Sequence, residues 1–163
     1  MEGVYYLGID PGKSGAFALI DSRGNISEKH VMPVVKAKGS KSVYDVQRIA
    51  SLLQGLLEDR KVKVILEKTQ PFPGTGAVTC WSLGYCEGMI EALLVSNKVP
   101  YQLVRPNIWQ KKVLAGFNTK DTKQASYLYC ARTWPTEDWR ATDRSKKPHD
   151  GLTDAAAIAM YGI

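Results

Sequence analysis

The sequence predicts an α/β fold, a sheet with an antiparallel hairpin section followed by crossover strands. Three observations predict it. Three short β-rich apolar runs separated by turn residues fill the first 32 positions. From residue 43 onward, segments with apolar residues at helical spacing alternate with two more strand-like runs. The whole is 163 residues, 44% hydrophobic and 23% charged, which is enough apolar material for one sizeable core and predicts a single domain over 1–163.

Residues 4–10 (VYYLGID) form an apolar run ending in Asp10, and Pro11-Gly12 then reads as a turn. Residues 15–21 make a second strand, Ser22-Arg23-Gly24-Asn25 a turn, and residues 26–32 a third strand, so a meander is expected. Residues 36–42 (KAKGSKS) read as a basic, mobile loop, and Ser42-x-x-Asp45 as a capping box. Behind it Val43, Val46, Ile49, Ala50, Leu53, Leu56 and Leu57 recur at helical spacing. Residues 62–67 (VKVILE) are a fourth strand, ending in Glu67. A Pro/Gly-rich loop is expected over 69–81 and a helix over 82–97, with Gly84 and Gly88 four apart, a spacing that permits close approach of another backbone. Pro100 precedes a fifth strand at 101–104; a polar, basic segment leads to a helix at 119–132, then an irregular stretch at 135–148 and an alanine-rich helix at 151–161.

Several classes are excluded or disfavoured by composition. No apolar run reaches the roughly 20 residues of a membrane-spanning helix. The start, Met1-Glu2-Gly3-Val4, carries neither the basic leader nor the apolar stretch of a signal peptide. The expected location is therefore the cytoplasm, of a bacterium or a phage-infected host, with an organellar origin left open. Cys80, Cys86 and Cys130 form no Cys-x-x-Cys pair and read as reduced, mostly buried thiols. With only His30 and His149 present, a multi-histidine metal site is ruled out.

The net charge of +6 is concentrated: between Arg105 and Lys147 ten basic residues face four acidic ones, and the remainder of the chain balances. Such a region suits a polyanion, nucleic acid above all, although a solvated lysine-rich surface would read the same way. The carboxylates sharpen the choice. Asp10 and Glu67 close the first and fourth strands, and Asp150 and Asp154 lie four apart at the start of the last helix, on one face. Each has a purely structural reading: Asp10 as a turn former, Glu67 as an edge charge, Asp150 as a helix cap. Asp154 resists one, because Ala-Ala-Ala-Ile-Ala-Met follows it. Four converging carboxylates repel unless a cation neutralises them, and Mg²⁺ prefers such oxygen ligands. Two ions about 4 Å apart are the standard device for phosphodiester hydrolysis.

Gly8-Ile9-Asp10-Pro11-Gly12-x-x-Gly15, the strand ending in Leu66-Glu67, and Asp150-x-x-x-Asp154-Ala155-Ala156-x-Ile158-Ala159 together resemble the RuvC family of Holliday junction resolvases, endonucleases of the RNase H-like superfamily. The resemblance covers residues 6–162. Pro71-Phe72-Pro73 and Trp81-Ser82-x-Gly84-Tyr85 look most like the RuvC-like chloroplast resolvases of plants and phage relatives. The resemblance implies a five-stranded mixed β-sheet flanked by α-helices, a homodimer, a four-way DNA junction as substrate, and two Mg²⁺ per active site, with Mn²⁺ as a substitute. Asp10, Glu67 and Asp154 match the family's carboxylates directly. The remaining ligand falls three residues before the last carboxylate in bacterial members, here Gly151, and four before it in the chloroplast-like branch, where it is a His; here that position is Asp150, the expected fourth ligand. His149 is then a helper and Lys146 or Lys147 a phosphate contact. The family inserts an aromatic from the loop after the glutamate into the junction. Phe72 is the matching residue and Trp81 the second choice, with a hydrophobic staple for the loop an equal reading of Phe72. Lys111 and Lys123 match basic positions near the scissile phosphate, with Lys112 and Lys120 as neighbouring alternatives. Backbone affinity from the basic region is expected to weaken steeply with salt.

Rival readings are an actin-like sugar kinase or ATPase, another RNase H-like nuclease such as an RNA–DNA hybrid cutter, and a non-catalytic junction-binding module. The first needs two such domains and lacks the terminal Asp-x-x-x-Asp helix, so no nucleotide cofactor is expected, nor a membrane partner. Fold separates the second poorly. The third gains nothing from clustered negative charge facing phosphate.

Overall fold

The computed structural model describes residues 3–37, 39, 41–70, 73–117 and 121–163. Its main sheet has five strands, β1 (Tyr5–Asp10), β2 (Ala16–Ile20), β3 (Ile26–Val31), β6 (Val62–Glu67) and β7 (Tyr101–Val104), in the order β3-β2-β1-β6-β7. The first three form the expected antiparallel meander; β6 joins β1 in parallel and β7 joins β6 in parallel. A mixed five-stranded sheet flanked by helices is thus the architecture, as expected.

Residue parity divides the core. In β1, Leu7 and Ile9 face the side covered by α1 (Val46–Leu57) and α2 (Ala77–Ser96). That side also takes Phe17 and Leu19 of β2 and Val64 and Leu66 of β6. Ala16, Ala18 and Ile20 of β2 and Ile65 of β6 face the other side, which α3 (Pro106–Val113), α4 (Thr122–Thr133) and α5 (Asp150–Tyr161) cover. The periodicity of α1 buries Ile49, Leu53 and Leu56 on one stripe, each contributing about 1.5–3 kcal/mol by leaving water. Among the described residues no helix is long and apolar enough to cross a membrane.

Four local expectations need correction. Within the expected loop at 36–42 the chain instead closes a hairpin, β4 (Val34–Lys36) with β5 (Ser42–Tyr44), and Ala37 N–H donates to Lys41 O at 2.7 Å. Ser42 therefore lies in a strand and caps nothing. Asp45 is the N-cap of α1, accepting from Arg48 N at 3.1 Å, because a short acidic side chain just before the first turn satisfies an orphan N–H. Helix α2 starts at Ala77, five residues before the expected start, since the glycines end at Gly76 and nothing after them breaks a helix. The polar, basic segment after β7 contains α3, which opens on Pro106 at a position where a missing N–H costs nothing.

Candidate active site

Asp10 and Glu67 reach the same end and face of the sheet through strand parity and register. Gly8 pairs with Ile65 and Ile9 with Leu66, so each carboxylate stands one residue beyond the last paired rung of adjacent parallel strands, backbones about 5 Å apart. Asp10 shares the parity of Gly8, and Glu67 that of Ile65, so both belong to the face that α5 covers.

Helix α5 supplies the rest, and glycines let it approach. A Cβ on Gly8 would lie 2.1 Å from Ala155 O, and one on Gly151 would lie 2.2 Å from Ser14 O. Position 151, where bacterial relatives were expected to carry a ligand, has no room for any side chain here. His149 caps the helix: its Nδ1 accepts from Leu152 N at 3.3 Å and its backbone N donates to Trp139 O at 2.7 Å. Asp154 follows on the inner face, and Asp150 opens the helix at the rim, half-exposed.

The electrostatics record the convergence. Burial and then the charges of Glu67 and Asp154 push the Asp10 carboxyl well above its ordinary value. Burial lifts Glu67 to about 7, against the pull of a hydrogen bond from Trp109. Burial lifts Asp154 to about 6, with Asp150 adding to the rise and Ser126 and Lys123 opposing it. The Ser126 hydroxyl is fully buried beside this carboxyl and closes no hydrogen bond of ordinary geometry.

Among the described residues no three His, Cys, Asp or Glu side chains stand close enough to enclose one metal ion. The carboxylates nevertheless fit a hard divalent cation. They are all-oxygen donors; Asp10, Glu67 and Asp154 are desolvated, and Glu67, Asp154 and Asp150 each raise the proton affinity of a neighbouring carboxyl, which is the signature of negative charge wanting a positive partner. Part of that need is met by Lys123 in the first turn of α4, whose Nζ lies 2.9 Å from Asp150 Oδ2. Asp10, Asp150, Asp154 and Lys123 line one cleft of about 390 Å³, together with the Pro11–Gly15 turn, Tyr44 and Ser82. A larger groove of about 700 Å³ beside β3, lined by Lys29, His30, Arg48 and Arg140 among others, contains none of these carboxylates.

Glu67, expected in one crevice with Asp10, is not among the residues lining this cleft. The indole N–H of the fully buried Trp109, in α3, donates to its Oε2 at 2.5 Å. Two residues on, Thr69 donates its N–H and its hydroxyl to Glu87 Oε2, each at 2.5 Å, which ties the start of the following loop to α2. Sequence reasoning passed over Trp109, Ser126 and Glu87. The one available signal was Trp109 itself, since a buried indole N–H usually requires an acceptor.

The remaining expected residues scatter. Trp81 is 70% exposed on α2, stacked on Tyr85 with centroids 5.4 Å apart. Lys111 is exposed on α3, and Lys146 and Lys147 are exposed in the stretch before α5. Lys112 donates to Tyr161 O at 3.0 Å and lies over the Tyr161 ring, eleven residues and so about 16 Å along α5 from Asp150. Phe72 and Lys120 lie outside the described residues.

No protein-family model matches the chain, and no curated protein matches its sequence. Solved structures do match. Thermus thermophilus RuvC superposes with a TM-score of 0.58 at 20% identity, covering 96% of this chain and 92% of that one. RuvC of T. thermophilus in complex with Holliday junction substrate gives 0.60 at 17%, covering 96% and 91%. The yeast mitochondrial Holliday junction resolvase Ydc2 gives 0.53 at 16%, covering 98% and 77%. At such identities the likeness is one of architecture, and strand order, helix layers and three-dimensional superposition agree: the chain has the RuvC-like, RNase H-like α/β fold.

Proposed function

We propose that the protein is a structure-selective DNA endonuclease that resolves four-way junctions by metal-dependent phosphodiester hydrolysis, in recombination and repair. The observation that supports this reading is the mutual electrostatic influence of Asp10, Glu67 and Asp154 on the α5 side of the sheet, with a RuvC-like fold around them. A protein that only bound DNA would lose affinity by facing phosphates with buried carboxylates.

In this reading Asp10, Glu67, Asp154 and Asp150 hold two Mg²⁺ ions, which Mn²⁺ can replace. Bound there, the ions supply Lewis-acid activation of water and charge stabilisation at the leaving oxygen. The chain's own residues do the rest. The Gly12–Gly15 turn keeps Asp10 at the cleft floor: Gly15 N–H donates to Gly12 O at 3.0 Å, and a Cβ on Gly15 would meet Asp10 O at 1.9 Å. Lys123 stands beside the carboxylates, ready to exchange Asp150 for a phosphate oxygen. Lys111, Lys146 and Lys147 give sequence-independent attraction to the backbone, and Lys112, held at the far end of α5, contributes only to the general field. Phe72 and Lys120 keep their assigned roles, junction wedge and phosphate contact.

The partner protein is a second copy. The outer face of α2 carries Trp81, Gly84, Tyr85, Gly88, Ala92 and Val95, all exposed and none charged, and a Cβ on Gly84 or Gly88 would meet nothing within 4 Å. Its two aromatics stand in the first half, and Gly88 and Ala92 in the second. An antiparallel two-fold pairing therefore sets aromatic against glycine and alanine. Trp81 belongs to this uncharged stripe, which suits a protein surface better than phosphate. Light scattering tests it, with Gly88→Arg expected to be monomeric.

The function is tested by nicking of an immobile four-way junction beside linear duplex and an RNA–DNA hybrid, with Mg²⁺ or EDTA and with Asp10→Asn. Paired symmetric nicks in the junction alone, lost with EDTA and in Asp10→Asn, are expected. Cutting of the hybrid would retain the metal site and overturn the substrate. Tight junction binding without cutting under any divalent ion would overturn the enzyme.

A further inference from the structure

We infer that Trp109 is a positioning residue that fixes the rotation of the Glu67 carboxylate and so sets which oxygen it presents to a cation. The inference rests on the metal-site reading above and adds to it a residue from outside the carboxylate set.

Three features carry it. Trp109 is wholly buried, so its N–H must find a partner inside the protein, and the partner it finds is Glu67 Oε2 at 2.5 Å. That bond engages one lone pair of Oε2 and sets the rotation of the carboxylate, with Oε1 the less engaged oxygen among the described contacts. The indole is also wedged among Ile65, Val104, Leu114, Ala125, Ala157 and Ile158. Ile65 lies two residues before Glu67 on β6; Ala157 and Ile158 lie one turn beyond Asp154 on α5. One rigid ring therefore fixes both the rotation of the Glu67 carboxylate and the spacing between the two elements that carry Glu67 and Asp154.

The chemistry of the donor matters as much as its position. Arg or Lys at this place would orient Glu67 equally well but would neutralise it and compete with an incoming cation. An indole N–H donates without bringing a charge or accepting a proton. It leaves the other face of the carboxylate open to a divalent ion, and outer partners of this kind commonly govern metal affinity.

The experiment uses the full chain and two variants, Trp109→Phe and Glu67→Gln. Two-dimensional ¹H–¹⁵N spectra resolve the four indole N–H signals, with that of Trp109 identified by triple-resonance assignment of the wild type. The expected results are a low-field Trp109 signal that moves upfield in Glu67→Gln and shifts when Mg²⁺ is added to the wild type. Trp109→Phe, which keeps the ring packing, should bind Mn²⁺ about tenfold more weakly by titration, with kcat reduced and KM for junction DNA little changed. A Trp109 signal indifferent to Glu67→Gln would overturn the hydrogen bond. Unchanged Mn²⁺ affinity in a folded Trp109→Phe would overturn the positioning role alone. Should that variant not fold, a wild-type Trp109 signal unmoved by Mg²⁺, while Mn²⁺ still binds, overturns the role as well. Absence of Mn²⁺ binding by the wild type would overturn the metal-site reading, and this inference with it.

Discussion

Lys123 and Asp150 form the one ion pair at the mouth of the cleft among the described residues, and both side chains are more than half exposed. Such a pair is worth at most about 1 kcal/mol, so its interest lies in what it blocks. While Lys123 holds Asp150, that carboxylate is turned from the cation it is expected to bind. Lys123→Gln should therefore tighten Mn²⁺ binding in the absence of DNA, by about fivefold at most, and weaken junction binding. Calorimetric titration with and without DNA checks both signs, and equal Mn²⁺ affinity would mean that Asp150 takes no part. At this scale much of the site was legible. Asp10 and Glu67 could be read because strand-end carboxylates announce themselves, and Asp154 because a charge before an alanine run has few structural excuses. Trp109 was not legible, because its bond to Glu67 spans 42 positions and no periodicity marks it. The exposure of Asp150 and its pairing with Lys123 depend on how α4 meets α5, which no local pattern encodes.

The helices differ in how tightly they are held, and glycine reports it. On β1 and α5 the glycines are contact points: Gly151→Ala would force a Cβ to 2.2 Å from Ser14 O, and overpacking of this kind costs about 1–3 kcal/mol. On α1 the space around Gly55 is open, so Gly55→Ala should leave stability unchanged or raise it by up to about 1 kcal/mol through helix propensity. Urea unfolding of both variants checks the contrast, and a tolerated Gly151→Ala would contradict the close docking of α5 against the β1–β2 turn. Element by element, the strands were legible because their apolar runs are short and bounded by turn residues. Helix α3 was missed because Pro106 reads as a break when it stands alone and as a first helical residue only once β7 is known to end at Val104. Hairpin β4–β5 escaped because its central residues are basic and its sides are only three residues long.

For the molecule as a whole, clustering carboxylates has a cost that pH reveals. Glu67 stands at about 7 and Asp154 at about 6, against 4.5 and 3.8 for the free side chains. The folded protein thus keeps protons that the unfolded chain has released, and stability falls as pH rises from about 4 to 7. Glu28 and Asp138 are shifted downward and act below that window, while His149, held below its ordinary value by burial, opposes the fall within it and is outweighed by the two carboxyls together with Asp10. Without metal, the melting temperature should be higher at pH 5 than at pH 8, and Mg²⁺ should raise it more at pH 8. Thermal melts in EDTA and in Mg²⁺ check this; a metal-free protein more stable at pH 8 would refute the clustering. Nearly all of this depends on α5, the last element of the chain order. Translation runs from β1 toward it, so the ribosome has made the whole sheet, with Asp10 and Glu67 side by side, before Asp154 exists. Under the nuclease reading a chain in which α5 has not yet docked is a scaffold with half of the proposed cation site, harmless to any DNA nearby. In that reading the last step of assembly, a dozen residues lying down against Gly8, is also the one that arms the molecule.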